Sequence, residues 1–192
     1  MSSSELIRWN GLLAIGAEAI LILSPLVHPS SPQSAAWVPM HLLFFTALIA
    51  TLLALFGILI YQLQQAGRLG LVGFFTAFVG TAMMLLEGRE HLFSPDFGVG
   101  TPRGLPELIV ASLVFSIGYI LLGVVIVWAG VLPRGAGILL AVGGPIVAFS
   151  PPIGVLAVEI VGHALFGLGL LWVGYVLSSG REVAMPQPSR VR

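Results

Sequence analysis

The sequence contains no cysteine and no lysine, and only 8% of its residues are charged. Without cysteine there is no disulfide, thiolate metal site, iron–sulfur cluster or cysteine nucleophile. Without lysine, a Schiff base to retinal or pyridoxal phosphate is excluded, and so is a P-loop. The net charge is zero and no basic cluster precedes the last residues, which argues against nucleic acid as a partner.

Apolar residues, in contrast, make up 57% of the 192 residues. An average soluble protein has roughly 25% charged residues, so this chain has too few charges to cover the surface of a soluble domain. We therefore predict an all-α, polytopic bundle in a lipid bilayer, formed by one domain over residues 1–178. Apolar stretches of near-spanning length predict six transmembrane helices at about 6–27, 37–62, 69–93, 106–131, 135–150 and 152–178.

The fifth of these stretches is the shortest. It has about sixteen residues, or roughly 24 Å of helix against a hydrocarbon core of about 30 Å. Gly143-Gly144-Pro145 also interrupts it. Two interpretations stay open, a kink and a helix broken beside a binding site.

The arginines favour six spans over five, with both termini in the cytoplasm, because cytoplasmic segments are rich in basic residues. Only Arg89 and Arg103 then lie outside. The arginines that then lie inside are Arg8, Arg68, Arg134, Arg181, Arg190 and Arg192. We expect residues 179–192 to be a disordered cytoplasmic tail.

Most acidic residues lie in the outer half of this topology. At 1.5 Å per residue, Glu87 and Glu159 lie about 9 Å deep, and Glu18 and His163 about 14–15 Å deep. Each shares a helix face with glycine or alanine at spacings of three, four or seven, a pattern typical of packed membrane helices. We therefore predict that these groups face the interior of the bundle.

Together these polar residues predict a cup that opens outward and binds a cation, a metal ion or a small polar ligand. Its predicted members are Glu18, Glu87, His91, Ser112, Ser116, Glu159 and His163. In two cases a glutamate precedes a histidine by four residues, which puts both on one helix face. Glu87, His91, Glu159 and His163 are the predicted ligands of a divalent metal, with His41 as a further candidate. The alternatives are proton transfer by the same groups, and intrahelical pairs that only lower the cost of burial.

Haem is another cofactor hypothesis. His41 and His91 are both shallow and could clamp an iron between two helices, with Arg89 and Arg103 near the propionates. Two further function classes remain open. One is an accessory or structural subunit that packs against membrane partners or a second copy. The other is a small intramembrane enzyme that modifies lipids or isoprenoids with a buried glutamate as general acid, so whether the chain is an enzyme stays open.

Three segments carry a resemblance to small bacterial six-span membrane proteins of unassigned function. The segments are Gly67-Arg-Leu-Gly-Leu-Val-Gly-Phe74, Gly130-Val-Leu-Pro-Arg-Gly-Ala-Gly137 and Gly169-Leu-Leu-Trp-Val-Gly-Tyr175. The resemblance covers most of the chain from the second span onward. It implies six spans and a multi-pass location in the bacterial inner membrane, and it implies no reaction, substrate or site residue.

Overall fold

The protein is entirely helical in the part of the chain that the structure, a computed structural model, describes. That part comprises residues 2–27, 34–93 and 104–180, without the side chains of 89–93, 104–105 and 152. The helices are α1 (Ser3–Val27), α2 (Trp37–Phe93), α3 (Gly104–Ala129), α4 (Arg134–Ile153) and α5 (Leu156–Ser178). All five contain stretches long and apolar enough to cross a membrane, which confirms the predicted helical, apolar architecture.

Helix α2 folds back on itself at Gly67. Its 57 residues would extend about 85 Å if they were straight. Gly67 instead has φ 54° and ψ −144°, which interrupts the helix. The rings of Phe56 and Phe78, eleven residues to either side, lie 5.5 Å apart, whereas a straight helix would separate them by about 33 Å. Residues 37–66 and 68–93, called here the first and second arms of α2, therefore run antiparallel.

The helices form a closed ring in chain order. Each helix packs against the next, and α5 returns to pack against α1. Glycines lie where neighbouring backbones approach most closely. A Cβ added to Gly118 of α3 would lie 2.5 Å from Cα of Ala77 in the second arm, and one added to Gly143 of α4 would lie 2.8 Å from Cα of Phe166 in α5. The small residues thus allow the close helix contacts that membrane bundles use.

The distribution of side chains is the reverse of that in a soluble protein. Large apolar side chains such as Leu12, Leu23 and Ile117 are exposed on the outside of the ring. The interior holds an aromatic centre around Tyr119 and Phe166, whose ring centroids lie 4.7 Å apart. Among the described residues, ten polar side chains are also buried: Asn10, Glu18, Ser24, His41, Thr51, Gln62, Thr81, Ser112, Ser116 and Ser150. An apolar exterior around a partly polar interior suits a surrounding lipid phase.

Helix α4 is continuous through Gly143-Gly144-Pro145, so the broken-helix interpretation of this segment is wrong. The helix also passes Ser150 and Pro151, where the sequence suggests a turn, and ends at Ile153. Gly154, in the left-handed conformation, forms the turn and donates its N–H to the Ser150 carbonyl. With 20 residues, α4 is about 30 Å long and matches the thickness of a bilayer core.

Serines next to internal prolines replace missing backbone donors. Proline has no N–H, so Pro25 and Pro151 leave the carbonyls four residues earlier without their helical partners. Ser24 Oγ donates to one of these carbonyls, that of Leu21, at 2.7 Å. Ser150 Oγ donates to the other, that of Val147, at 2.9 Å. These bonds explain how two helices continue through proline in an apolar environment.

Candidate binding site

Glu18 of α1 is completely buried inside the ring. Its Oε1 is 3.1 Å from Oγ1 of Thr51 in the first arm. Its Oε2 has no hydrogen-bond partner among the described residues. The nearest arginine on the same helix, Arg8, is ten residues away, or about 15 Å along the axis. The described interior therefore leaves one oxygen of a buried acid unsatisfied.

The carboxyl group of Glu18 lies against the backbone of α5. A Cβ added to Gly167 would lie 3.4 Å from Glu18 Oε2 and 2.7 Å from Cδ1 of Ile22. The Ile22 contact is shorter than real Cβ atoms accept, so a side chain at this position would have to displace the side chain of Ile22. His163 lies one turn before Gly167 on α5, about 6 Å nearer the N-terminal end of that helix.

Tyr119 adds a second buried hydroxyl pair near Glu18. It is fully buried, and its hydroxyl lies 3.0 Å from Oγ1 of Thr81 in the second arm. Thr81 uses its only hydroxyl hydrogen on the Ala77 carbonyl, at 2.8 Å. Tyr119 must therefore be the donor of the shared bond. We call Glu18, Thr51, Thr81 and Tyr119 the interior polar layer.

Three of the four residues of this layer were not predicted from the sequence. Thr51, Thr81 and Tyr119 lie inside apolar helices. In such helices a threonine hydroxyl usually bonds to a carbonyl of its own helix, and a tyrosine is usually taken for a residue of the hydrophobic core. Both threonines do bond the carbonyl four residues earlier. The only indication in the sequence is that these three polar residues occur in otherwise apolar helices. That observation does not identify the residue on another helix to which each one bonds.

Ser112, predicted as a ligand-binding residue, forms a hydrogen bond between α3 and α4. Its Oγ is fully buried and donates to the carbonyl of Ala148 at 2.8 Å. Ala148 lies four residues before Pro152, which has no N–H to offer that carbonyl. Ser112 thus replaces the helical hydrogen bond that α4 lacks because Pro152 has no N–H. Ser116, one turn later on α3, is also buried, and its Oγ has no described partner.

We predict that Ser112→Ala lowers the free energy of unfolding by about 1 kcal/mol, because the Ala148 carbonyl loses its donor in an apolar interior. Introducing Pro152→Ala restores a backbone N–H for the same carbonyl. The cost of Ser112→Ala should therefore fall to near zero in the Pro152→Ala background. A double-mutant cycle measured by SDS-induced unfolding in mixed micelles checks this, and equal costs in both backgrounds would contradict the proposed replacement.

His163 bonds to the backbone of Glu159. Its Nδ1 lies 2.9 Å from the Glu159 carbonyl oxygen, and both residues are half-buried. His41 repeats the arrangement, with Nδ1 2.8 Å from the carbonyl of Trp37, also four residues earlier. Because a carbonyl only accepts, Nδ1 carries the hydrogen in both rings. The residue four positions before His41 is Trp37, which is not an acid. Helix geometry alone therefore accounts for this kind of bond.

Glu87 lies in a different part of the ring. It lines an open cavity of about 390 Å³ between the second arm and α3, beside Glu107. The rest of the lining is mainly apolar: Met83, Leu86, Pro106 and Val110. Glu159 and His163 lie on α5, which packs mainly against α1 and α4. The cup that would unite Glu87 with Glu159 and His163 stays a prediction.

The predicted metal and haem sites both include His91, whose side chain lies outside the described residues. Among the residues that the structure does describe, no group of three or more His, Asp or Glu side chains could hold a metal ion. The ligand set of Glu87, His91, Glu159 and His163, with His41 as an extra candidate, therefore stays a prediction. The haem pair of His41 and His91 stays one for the same reason.

Comparison with known proteins adds nothing to this geometry. No protein-family model matches the sequence, and no curated protein or solved structure matches it significantly. A buried carboxyl group with one unsatisfied oxygen can hold a proton, a cation or a hydrogen-bond donor.

Proposed function

We propose that this chain is a six-span inner-membrane protein whose interior carboxyl group, Glu18, binds a cation or a small polar ligand. The turn at Gly67 supports six spans because it divides α2 into two antiparallel arms, each long enough to cross a bilayer. Six crossings place both termini and most arginines in the cytoplasm. The chain has no native cysteine, so single cysteines at Gln65 and Ser179 can test this topology. Both should react only with reagents on the cytoplasmic side.

The unsatisfied Oε2 of Glu18 is the observation that carries the proposed binding function. A charged residue at the centre of a membrane helix costs about 2.5–3.5 kcal/mol on insertion scales. The single contact with Thr51 Oγ1 does little to offset this cost. A bound cation or hydrogen-bond donor would satisfy the free oxygen. This site is smaller than the cup predicted from sequence and is centred on Glu18.

The outer side offers the proposed route of entry. Glu159 and His163 lie nearer the outer end of α5 and are both partly exposed, whereas Glu18 deeper in the bundle is not. The bond from Nδ1–H to the Glu159 carbonyl orients the imidazole of His163 and leaves Nε2 as its acceptor atom. In this proposal His163 assists transfer between the outer surface and Glu18.

The test is the thermal stability of the purified protein in the presence of different cations. The panel comprises sodium, potassium, magnesium, zinc, manganese and methylammonium ions, and protons supplied by lowering the pH. We expect at least one to stabilise the wild type and not Glu18→Gln. At a hundred times the dissociation constant, a ligand contributes about 2.7 kcal/mol, which corresponds to roughly 5–10 °C in Tm for a chain of this size.

Glu107→Gln is the matched control for this test. Glu107 is an exposed acid at the start of α3, so its variant carries the same glutamate-to-glutamine change without altering the interior polar layer. It should respond to the panel as the wild type does. If Glu18→Gln also responds to every cation as the wild type does, Glu18 is not the binding group and the proposal fails.

A second candidate function, an accessory or structural subunit, is favoured by a separate observation. Two of the predicted ligands, Ser112 and His163, already bond to backbone carbonyls and so contribute to the fold. On this hypothesis the interior polar layer only orients helices for contact with membrane partners or a second copy. Glu18→Gln would then change the stability of the protein equally with and without every cation in the panel.

A further inference from the structure

We propose that the cation held by Glu18 is a proton, so that the side chain is a neutral acid that donates a hydrogen bond to Thr51. This inference rests on the proposed function, because it names the ligand of the same site.

Thr51 has one hydroxyl hydrogen and two neighbouring oxygen atoms that need it. Its Oγ1 lies 3.1 Å from Glu18 Oε1 and 3.1 Å from the carbonyl oxygen of Ala47. An ionised carboxylate and a carbonyl both only accept hydrogen bonds, so one hydrogen cannot fully satisfy both. If Glu18 is protonated, it donates to Thr51 Oγ1, and Thr51 donates to Ala47. Every hydrogen then has an acceptor.

Protonation of Glu18 also lowers the energetic cost of burying Oε2 without a hydrogen-bond partner. In an ionised carboxylate this buried oxygen would share a negative charge, which is expensive to remove from water without a partner. In the neutral acid it is an uncharged carbonyl oxygen, whose lack of a partner costs much less. Protonation thus lowers the cost of both oxygens of Glu18.

Tyr119 and Thr81 form the same arrangement elsewhere in the interior polar layer. Thr81 donates to the carbonyl of Ala77, four residues earlier, and accepts from the hydroxyl of Tyr119. Thr51 likewise bonds to the carbonyl four residues earlier, that of Ala47. Glu18 therefore occupies at Thr51 the position that a hydroxyl donor occupies at Thr81.

The surroundings provide no set of ligands for a metal ion. Magnesium and calcium take six or more oxygen ligands, and zinc takes four ligands. The side-chain oxygens described in contact at this site are the two of Glu18 and the hydroxyl of Thr51, and Gly167 contributes no side chain. No described residues form a cluster of three metal-binding side chains. A proton needs only one oxygen and one acceptor, which are both present.

Few charged groups on the surrounding helices compete for the proton. On α5, His163 lies one turn before Gly167, the glycine that faces Glu18, and on α3 Tyr119 bonds to Thr81. The first arm presents Thr51 and the second arm Thr81, and α4 approaches Tyr119 through Gly144. The described arginines, Arg8, Arg68 and Arg134, lie at or near the inner helix ends. Nothing described compensates an ionised Glu18.

Infrared spectroscopy of the protein in lipid nanodiscs at neutral pH tests this inference. The C=O stretch of a protonated carboxyl group lies above the amide I band and is resolved from it. We expect this band in the wild type and in Glu107→Gln, and its loss in Glu18→Gln. Thr51→Val should retain the band and shift it to higher frequency, because the acid loses its acceptor. This second variant keeps the test valid if Glu18→Gln folds poorly.

The outcomes separate this inference from the proposed function. If the wild type has no Glu18-dependent band and a metal or methylammonium ion stabilises it only when Glu18 is present, the site binds a cation and the proton assignment is wrong. If the band is present and only protons change the stability in a Glu18-dependent way, the assignment holds. If Glu18→Gln and the wild type have identical bands and identical responses to all cations, both proposals fail.

Discussion

Replacing Gly118 by alanine is expected to force α3 away from the second arm of α2 and to lower the free energy of unfolding by about 3 kcal/mol. The added Cβ would lie 2.5 Å from Cα of Ala77 and 2.6 Å from the carbonyl carbon of Thr76. Both atoms belong to the backbone, so no side-chain rotation can relieve the contact. The two helices must separate, and the packing around the nearby Tyr119–Thr81 bond would change with them.

SDS-induced unfolding in mixed micelles measures this change, and Gly16→Ala is its matched control. Gly16 is also a glycine inside a helix, but an added Cβ there meets no atom within 4 Å. Alanine favours helix over glycine by up to about 1 kcal/mol, so Gly16→Ala should be neutral or slightly stabilising. If the two variants had the same stability, the close contact between α3 and the second arm would be refuted.

The second large effect is expected at the turn of α2. Gly67→Ala should cost about 2 kcal/mol because Gly67 has φ 54° and ψ −144°, a backbone conformation that essentially only glycine adopts. An added Cβ at Gly67 meets nothing within 4 Å. The predicted loss therefore comes from backbone strain alone, and compensating changes in neighbouring side chains cannot remove it.

A pair of asparagine variants isolates this backbone effect. Gly154 also has a positive φ, but its φ of 67° and ψ of 20° are left-handed helical, a region that asparagine tolerates. Gly154→Asn should therefore cost much less than Gly67→Asn in the same unfolding measurement. Equal stabilities of the two variants would mean that α2 does not turn in the observed conformation.

The turn at Gly67 also controls the proposed site. It brings the two arms side by side, so that Thr51 in the first and Thr81 in the second both reach the interior of the ring. A variant that loosens the turn should weaken the interior polar layer as well. Gly67→Ala should therefore reduce any cation-dependent stabilisation that requires Glu18.

The amino-acid sequence by itself determines the class of this protein. Its apolar stretches and its scarcity of charge require helices in an apolar solvent, because only there can so many large apolar side chains remain on the outside. Helical spacing also predicts which face packs inward. Glu18 shares a face with small residues, and the structure buries it completely. Gly67 lies between the spans that the sequence predicts at about 37–62 and 69–93.

Only the tertiary structure decides which polar groups meet. Periodicity gives the direction of a side chain around its own helix, but the partner on another helix depends on the relative height and rotation of both. That register is set by many backbone contacts at glycine, such as those of Gly118 and Gly143. Sequence spacing therefore suggested glutamate–histidine pairs, whereas His163 bonds a backbone carbonyl. The same register joins Glu18 to Thr51, two residues that no sequence pattern connects.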